Sequence, residues 1–391
     1  MDVIRTETHN SCASEFEPIH VAQVTGIMNS GGVEAVVMNY YRAIDRTKVQ
    51  FDFFVDETCS FPQRKEIEKL GGRYYLVPSY SHPIAYIRVL KERFRENRYQ
   101  IVHSHINTMN VFPLFAAWLA GIPVRICHNH STGNWGEGKK TLLKYLLRPF
   151  ANIFATDCFA CSELAGRWMF GNRRFDAGQV RIVPNAIDAK GYVFNPAARA
   201  TLRRELGIDE DTFVVGHVGR FTYAKNHNLL IDIFRALQQE RPNSTLLLIG
   251  EGELEESVRG KVKAFGLTDC IRFLGVRNDV SKLYSAMDVF CLPSFYEGLP
   301  VVLVEAQVNG LPCVVSDLVT EEATRHDGIR TRSVAAPVQS WLNALTSSAR
   351  STNESCLPDK LDITIQALQL QQLYLEKSTD LHLNKRRYSQ G

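Results

Sequence analysis

Several features are scarce in this chain of 391 residues, and each one excludes a class of protein. No apolar run approaches the ~20 residues that a helix needs to cross a bilayer. The first eighteen residues are polar and lack the apolar core of a signal peptide. A formal net charge of +3 gives no indication of nucleic-acid binding. We therefore expect a cytoplasmic protein that does not bind nucleic acid, with a poorly ordered extension over residues 1–18.

Cysteine pairs at metal-ligand spacing are also nearly absent. The nine cysteines are scattered and lie mostly in apolar, strand-like runs, which is typical of a reducing compartment. Cys158 and Cys161 form a C-x-x-C, and no second pair of ligands follows them. Because residues three apart on a strand face opposite sides, this pair predicts core cysteines rather than metal or redox chemistry.

The chain does contain a regular alternation of strand and helix patterns. Apolar runs such as His20–Thr25 and Ile101–His103 alternate with segments of helical periodicity such as Ile84–Glu96. This alternation predicts parallel sheets with helices on both faces, and the length favours two or three domains. Ligands of such sheets bind outside the carboxyl ends of the strands, so the loops at those ends are the candidate sites.

The most informative stretch runs from Val289 to Ser316. A short β-branched run at its start predicts a buried strand, and Cys313 begins the next strand. Between them, a helix from Pro300 to Val308 is apolar nearly all round, which predicts that it is buried. Proline at a helix start loses no hydrogen bond, which supports the predicted boundary.

Two carboxylates stand out in this stretch. Glu305 lies inside the apolar helix, where an unpartnered carboxylate is costly, and Glu297 lies in the loop at the helix mouth. The helix N-terminus between them offers free N–H groups to a phosphate. Residues 300 to 305 span roughly 8 Å, so the two acids can reach hydroxyls on either side of a bound diphosphate. The alternative is that a buried arginine pairs with Glu305 while Glu297 is solvated.

Two further loops at predicted strand ends carry phosphate-binding features. Gly31 and Gly32 lie between the first strand and a helix, a layout that cradles phosphate, although the glycines could serve only a tight turn. In the second half, Arg220 and Lys225 lie between a strand and a helix. Two cations there can neutralise a diphosphate and stabilise it as a leaving group. The alternative for them is solvated surface charge.

Histidines end two predicted strands of the first half, as His103-Ser-His105 and His128-Asn-His130. Alternate residues of a strand share a face, so each pair could supply two metal ligands. No third ligand presents itself near either pair in the sequence. We therefore expect no metal site there.

The run F-Y-E-G-L-P-V-V-L-V-E-A, with its E-x7-E spacing and flanking strands, resembles the nucleotide-sugar-binding element of retaining GT-B glycosyltransferases, group 1 or family 4. The resemblance extends from about His20 to the last helix and includes the G-R-F-x-x-x-K-N run and the P-N-A-I-D turn, where Ala186 replaces the usual glycine. It implies two Rossmann-like, doubly wound parallel-sheet domains that face a central cleft. The expected divisions are the extension 1–18, an acceptor domain 19–193, a nucleotide-sugar domain 194–360, and a helix and tail 361–391 that cross back to the first domain.

The resemblance also implies roles for individual residues. Glu297 would contact the donor sugar and Glu305 the ribose, while Arg220 and Lys225 would bind the diphosphate. Arg277 would read the nucleobase, and either His128 or His130 would hydrogen-bond the transferred sugar. Further donor contacts are expected from Gly31, Gly32, Gly298, Leu299 and Val301.

The start V-T-G-I-M-N-S-G-G-V-E and the H-N-H-S segment look most like the branch of the family that makes bacterial exopolysaccharide or capsule. The implied reaction transfers a hexosyl unit from a nucleoside diphosphate sugar, expected to be a UDP-sugar, to a hydroxyl of a lipid-linked saccharide. Neither a cofactor nor a metal is expected. The alternatives are a UDP-sugar epimerase of the same fold and a relative that binds sugar nucleotides without turnover.

A largely apolar helix is predicted over Thr141–Ala155, with Lys139, Lys140, Lys144 and Arg148 on its polar side. Such a helix can lie on an anionic membrane, which would place the protein at the inner face of the cell membrane. It can equally pack on a sheet with its lysines extended to solvent. The sequence leaves both interpretations open.

Overall fold

The computed structural model describes residues 17–29, 31–132, 139–324, 328–348, 350 and 358–388. Nearly all of the expected N-terminal extension, residues 1–18, lies outside this range. Within it the strands form two parallel sheets, of seven and six strands. The predicted α/β architecture of two doubly wound, parallel-sheet halves is therefore confirmed.

The first sheet has the strand order β3-β2-β1-β4-β5-β6-β7. The order reverses between β1 and β4, which is where sheets of this kind open a crevice at their carboxyl edge. Its strands are β1 Ile19–Gly26, β2 Val49–Asp56, β3 Arg73–Val77, β4 Ile101–Ser104, β5 Val124–Asn129, β6 Asp157–Ala160 and β7 Val180–Ile182.

The second sheet has the order β10-β9-β8-β11-β12-β13 and reverses between β8 and β11. Most of its strand residues are buried, as expected for parallel strands covered on both faces. Its strands are β8 Phe213–Val218, β9 Ser244–Ile249, β10 Ile271–Phe273, β11 Val289–Leu292, β12 Cys313–Ser316 and β13 Ile329–Arg332.

Helices connect the strands and cover both sheets. Those of the first half are α1 Gly32–Ala43, α2 Arg64–Lys69, α3 Pro83–Glu96, α4 Val111–Leu119, α5 Lys139–Leu147, α6 Glu163–Phe170 and α7 Asn172–Asp176. Those that follow are α8 Pro196–Glu205, α9 His227–Glu240, α10 Glu255–Ala264, α11 Val280–Ala286, α12 Val301–Val308, α13 Glu321–Thr324, α14 Val338–Thr346 and α15 Ile363–Tyr388.

The long helix α15 follows the second sheet in sequence but packs on the first. Tyr374 is fully buried there, and the Lys377 ammonium donates a hydrogen bond to Asp157 of β6. Main-chain hydrogen bonds also join Ile187 to Leu361 and Ile363 just before this helix. The C-terminal segment therefore ties the two halves together.

Two helix boundaries differ from those predicted, and proline explains the second. Pro300 is the N-cap of α12 rather than its first helical residue, with the extended angles φ −70° and ψ 108°. The helix predicted over Thr141–Ala155 ends at Leu147 and continues only as a single 3₁₀ turn. Pro149 lies in that turn, and a proline there cannot donate the hydrogen bond that would extend the helix.

Candidate active site

The charged side chains predicted in the second half meet at the carboxyl ends of β8 and β11. The Lys225 ammonium donates a hydrogen bond of 2.6 Å to Oε1 of Glu297, and the Ser294 hydroxyl donates one of 2.8 Å to the same oxygen. The side chains of Lys225 and Glu297 are only 17% and 13% exposed. The predicted phosphate-binding cation and the predicted sugar-binding acid thus neutralise each other in a largely desolvated pair.

Main-chain contacts hold the loops of these two residues together. The N–H of Phe295 donates a hydrogen bond of 2.8 Å to the carbonyl of Ala224, and the rings of Phe295 and Tyr223 stack with centroids 4.7 Å apart. Asn226, in the left-handed conformation with φ 51°, caps α9 through its side-chain oxygen. Lys225 is therefore held between a rigid helix start and the loop of Glu297.

The loop of Arg220 is positioned by the glycine loop after β9. The N–H of Phe221 donates to the carbonyl of Glu251 at 3.0 Å. A Cβ on Gly250, whose φ is 132°, would lie 2.3 Å from the carbonyl oxygen of Gly219. Only glycine allows this approach. The Arg220 side chain itself is exposed.

Glu305 points inward from α12 and is 7% exposed. The Tyr284 hydroxyl donates a hydrogen bond of 2.7 Å to its Oε2, and the Tyr192 hydroxyl also bonds the carboxylate. Burial raises the pKa of Glu305, and these two hydrogen bonds partly offset the rise. The buried arginine that sequence reasoning kept as an alternative is not its recorded partner. Within the described part of the chain, the acid is hydrogen-bonded but has no ion-pair partner.

Side chains of the first half form hydrogen bonds with the loop that leads into α12. The Asn185 amide donates a hydrogen bond of 2.7 Å to the carbonyl of Leu299, and the Ser162 hydroxyl reaches that of Gly298 at 3.4 Å. A Cβ on Gly298 would lie 2.3 Å from the carbonyl oxygen of His130. Val301, the first residue of α12, is buried at the same place. The residues predicted at this helix mouth thus lie where the two halves meet.

The first glycine loop contains a carboxylate that sequence reasoning missed. The Glu34 side chain folds back over Gly31, so that a Cβ there would lie 2.3 Å from its Oε2, whereas Gly32 faces open space. Glu34 is 8% exposed. Burial raises its pKa, while its own N–H and the charge of Arg220 lower it. The helix N-terminus predicted to bind phosphate is therefore covered by an acid that senses Arg220 of the other half.

The four histidines of the H-x-H pairs come together beneath this cleft. His103 Nε2 and His128 Nδ1 lie 3.0 Å apart, as do His105 Nδ1 and His130 Nε2 at 2.9 Å. All four are buried, and burial lowers the pKa of His130 to about 4 and those of the other three well below the ordinary value. The rings are therefore neutral at pH 7.

The outer nitrogens of these rings contact other buried groups. His103 Nδ1 lies 2.6 Å from the Tyr374 oxygen, His105 Nε2 lies 2.8 Å from Gln23 Oε1, and His130 Nδ1 lies 3.1 Å from Asn185 Oδ1. Both nitrogens of His130 thus have protein partners, and Nε2 of His128 is buried with the main chain of Val183 nearby. A sugar contact by either His128 or His130 stays a prediction.

Arg277, predicted to read the nucleobase, is engaged by a neighbour. Its guanidinium donates hydrogen bonds of 2.8 and 2.7 Å to the two carboxylate oxygens of Asp279. The pair is one-third exposed. The role of Arg277 in base recognition stays a prediction.

Comparison with known proteins identifies the family. The model for "Glycosyl transferases group 1" matches residues 198–337, and the model for "Glycosyltransferase Family 4" matches residues 30–190. The chain is 38% identical over 338 residues to "Putative glycosyltransferase EpsF" of Bacillus subtilis, which covers 84% of this chain and 87% of that relative. This chain belongs to the group 1 and family 4 glycosyltransferases.

Another relative of this glycosyltransferase is named for a capsular polysaccharide. It is 22% identical over 378 residues to "Capsular polysaccharide biosynthesis glycosyltransferase CapH" of Staphylococcus aureus, covering 92% of this chain and 99% of that one. The structure of Anabaena Alr3699/HepE in complex with UDP-glucose superposes with a TM-score of 0.71 at 20% identity, over 95% of this chain and 100% of that one. The GT-B fold expected of the glycosyltransferase is thereby confirmed.

Among the described residues, no helix of the glycosyltransferase combines the length and apolar character needed to span a bilayer.

Proposed function

We propose that this glycosyltransferase moves a hexosyl unit from a UDP-sugar to a hydroxyl of a lipid-linked saccharide, with retention of configuration and no metal ion in the transfer step. The Lys225–Glu297 pair carries the proposal, because it places a desolvated cation and a carboxylate at the mouth of α12. Two relatives support the substrate class. One, 29% identical over 78% of this chain and 81% of its own length, is named "UDP-Gal:alpha-D-GlcNAc-diphosphoundecaprenol alpha-1,3-galactosyltransferase" in Escherichia coli. The other is Alr3699/HepE, which binds UDP-glucose.

The donor would lie along the mouth of α12. Glu305 would accept hydrogen bonds from the ribose hydroxyls, since it is a buried carboxylate whose recorded partners are two tyrosine hydroxyls. The diphosphate would face the N-terminus of α12, near Gly298 and Leu299, with Arg220 and Lys225 supplying the positive charge that a divalent cation supplies elsewhere. Arg277 would give up its hydrogen bonds to Asp279 and turn toward the base.

The Lys225–Glu297 pair suggests how donor binding prepares the sugar site. A diphosphate offers Lys225 a stronger partner than a single carboxylate, because it carries more negative charge. Once Lys225 turns to the phosphate, Oε1 of Glu297 keeps only the Ser294 hydroxyl. Glu297 then accepts hydrogen bonds from the sugar and fixes its orientation. The pair would thus hold both residues in place until the donor enters.

Transfer would then proceed on the face of the sugar that carries the leaving group. The bond between the anomeric carbon and the phosphate oxygen breaks as the acceptor oxygen bonds the same carbon, and the departing phosphate takes the acceptor proton. Arg220 and Lys225 stabilise the negative charge that builds on the phosphate. No side chain needs to act as a nucleophile. This agrees with a site in which Glu297 is tied to a lysine rather than aimed as an unpartnered attacking group.

A donor screen tests the proposal. UDP- and GDP-sugars are incubated with undecaprenyl-diphosphate-linked saccharides, and nucleotide release is followed with and without the acceptor. We expect acceptor-dependent release of UDP. If the sugar of the donor is altered and no nucleotide is released, the protein is an epimerase instead. Lys225→Ala and Glu297→Gln should abolish most turnover, whereas Lys263→Ala, an exposed lysine of α10, should not. Full turnover in the first two variants would contradict the site assignment.

We further propose that α5 and the turn after it contact the membrane that holds the acceptor. Leu142, Leu143, Leu146, Phe150 and Ile153 are 46–60% exposed, so the apolar face of this segment points to solvent and not to the sheet. The cations that were expected to line the polar side stack on aromatic rings, with Lys144 5.8 Å from Tyr296 and Arg148 5.6 Å from Trp168. The side chains of Lys139 and Lys140 lie outside the described part of the chain.

Vesicle co-sedimentation tests this contact. The protein should bind vesicles of phosphatidylcholine with phosphatidylglycerol more strongly than vesicles of phosphatidylcholine alone. Serine at Leu142, Leu143 and Leu146 should lower binding by at least tenfold, because each buried leucine contributes about 1.5–3 kcal/mol. Ile84→Ser is the matched control, since Ile84 is 85% exposed on α3. Equal binding by the triple variant and the wild type would exclude α5 as the contact.

A further inference from the structure

The two H-x-H pairs lie on neighbouring strands, and their side chains converge. In the sheet, His103 of β4 lies opposite Gln23 of β1 on one side and Ile126 of β5 on the other. Paired residues share a face, and so do alternate residues along a strand, so the histidines of both strands lie on one face. One nitrogen from each of His103, His105 and His128 lies within 4.8 Å of the others. These rings, with His130 and Tyr374, line a cavity of about 10 Å³. Such a volume admits a single small occupant.

The facing nitrogens have the spacing of ligands around one ion. The two inner pairs, His103 Nε2 with His128 Nδ1 and His105 Nδ1 with His130 Nε2, are separated by 3.0 and 2.9 Å. With Zn–N bonds of about 2.0–2.1 Å, a tetrahedral site places its nitrogens about 3.3 Å apart. The two measured distances are slightly shorter than this spacing. The nitrogens of His103, His105 and His128, within 4.8 Å of one another, would have to move apart or together by small ring rotations to reach it, with His130 Nε2 following His105.

The outer nitrogens are placed as in metal-bound histidines. Three of them face oxygen atoms, those of the Tyr374 hydroxyl, the Gln23 amide and the Asn185 amide. A histidine that binds a metal commonly donates its other N–H to such an oxygen, which fixes both its tautomer and its orientation. The supporting groups of a metal site are thus already in place.

The hydrogen-bond partners of the rings fix where the protons lie, and they leave two ring nitrogens facing each other without a proton or other positive group between them. The Asn185 amide nitrogen donates to Leu299, so its oxygen faces His130 Nδ1, which must carry the proton. The Gln23 amide nitrogen donates to Tyr374, so its oxygen faces His105 Nε2, which must also carry the proton. His105 Nδ1 and His130 Nε2 then direct lone pairs at each other across 2.9 Å. Two neutral rings in these tautomers cannot form a hydrogen bond.

An additional proton between these two nitrogens would relieve the repulsion but is energetically unfavourable. It would create an imidazolium ion in a fully buried site, where none of the described carboxylates contacts the four rings. The compensating group recorded beside His128 is the main-chain carbonyl of Val183. A metal ion removes the repulsion and also uses the nitrogens of His103 and His128. The geometry therefore favours a metal over a proton.

We propose that His103, His105, His128 and His130 bind one divalent transition-metal ion, and that Zn²⁺ is the ion this set suits best. Imidazole nitrogen is a common ligand of Zn²⁺, and a tetrahedral site closed by four protein ligands is structural rather than catalytic. The ion would join β4 and β5 to α15 through Tyr374 and to the loop of Leu299 through Asn185. The ion would leave neither His128 nor His130 free for the predicted sugar contact, but the proposed transfer depends on Lys225 and Glu297, so this site and the proposed reaction are tested separately.

Metal analysis tests the proposal directly. The full chain is purified without chelator and its metal content is measured by plasma mass spectrometry; we expect about one zinc per chain. The stripped protein, reloaded with Co²⁺, should show the intense visible bands of a tetrahedral site. His105→Gln should lower Co²⁺ affinity by at least tenfold, whereas His82→Gln, which changes an exposed histidine, should leave it unchanged. Chelator should also lower the melting temperature of the wild type.

The competing arrangement predicts different results. If the Gln23 amide is reversed, its nitrogen donates to His105, its oxygen accepts from Tyr374, and protons alone connect the rings. The purified chain would then hold no stoichiometric ion, added Co²⁺ would stay octahedral and pale, and chelator would leave the melting temperature unchanged. These results would overturn the proposal. They need only the wild-type protein, so a misfolded histidine variant cannot obscure the outcome.

Discussion

The carboxyl ends of the two sheets differ in charge although the sheets share a topology. In the first half, β4 and β5 end in four buried histidines, which contact one another and uncharged groups. In the second half, β8 and β11 lead to Lys225 and Glu297, which form an ion pair at the cleft. The same edge of the same fold is thus uncharged inside one half and charged in the other.

This difference shows how one fold supplies two functions. The fold fixes where the loops lie, and the side chains on those loops decide what binds. The second half presents the charge that a nucleoside diphosphate requires, while the first fills its edge with a network of neutral groups and keeps the nearby Glu34, which senses the charge of Arg220, buried. The following predictions test whether the division is real, beginning with the largest expected effect.

Removing the charge of the second half should stop transfer. We expect Lys225→Ala to lower kcat by about 10²–10³-fold, because a preorganised group that stabilises developing charge contributes this much. Arg220→Ala should act in the same direction but less, since Arg220 is exposed. The measurement is UDP release with the donor found by the screen. If alanine at an exposed lysine such as Lys263 costs as much, the special role of this edge is refuted.

A glycine from each half provides the second test. Alanine at Gly298 would place a Cβ 2.3 Å from the carbonyl oxygen of His130, and this main-chain atom cannot easily move away. We expect a loss of about 1–3 kcal/mol in the free energy of unfolding and weaker binding of UDP. Gly32→Ala is the matched control, because its Cβ would meet open space. In the first turn of α1 it should stabilise the protein by up to about 1 kcal/mol. Equal behaviour of the two variants in urea unfolding would show that the halves do not meet as described.

The sequence was sufficient for features that depend on local pattern. The strand before Glu297, the buried helix with Glu305, and the basic loop of Arg220 and Lys225 were predicted from periodicity and from motif spacing, and the structure has these elements. Each such feature is set by residues within one strand, loop and helix. Parallel strands then bring the loops to one edge without further information.

Features that depend on distant segments could not be predicted in the same way. Tyr192 and Tyr284, which hydrogen-bond Glu305, belong to the linker and to α11, and no spacing relates them to it. Each H-x-H pair offers two nitrogens by itself, and a third comes only from the neighbouring strand. That strand is not evident from the spacing within either pair, because the adjacency of β4 and β5 is a property of the sheet. Two H-x-H pairs on successive strands of a parallel sheet are the signal that could have indicated it.

The third prediction concerns the buried histidines of the second half. His227 has a pKa lowered to about 2, first by burial and then by the charges of His217 and Lys225. Above pH 6.5 both folded and unfolded states are neutral at this site. Below pH 6.5 the unfolded chain binds a proton at this histidine and the folded chain does not. The free energy of unfolding therefore falls by about 1.4 kcal/mol per pH unit.

His227→Leu should remove this contribution. Neither ring nitrogen of His227 has a recorded partner, so the substitution leaves no buried group unpaired. Relative to the wild type, the variant should be about 2 kcal/mol more stable at pH 5 than at pH 7, as measured by urea unfolding. His82→Leu controls for an exposed histidine. An unchanged pH dependence in His227→Leu would mean that this ring is not held neutral, and that neutrality is a property of the first half alone.

Glu305 provides the most specific test, and the one with the smallest expected effect. Its carboxylate lies in the second half but is buried as deeply as the histidines of the first. Glu305→Gln keeps an oxygen for the Tyr284 hydroxyl but removes the negative charge. Hydrogen bonds to a charged acceptor exceed those to a neutral one by roughly 1 kcal/mol, so the KM for the donor should rise about fivefold with little change in kcat. Tyr284→Phe disturbs the same carboxylate without removing its charge. If Tyr284→Phe weakened donor binding as much as Glu305→Gln, the acid would serve to support α12 rather than to bind ribose.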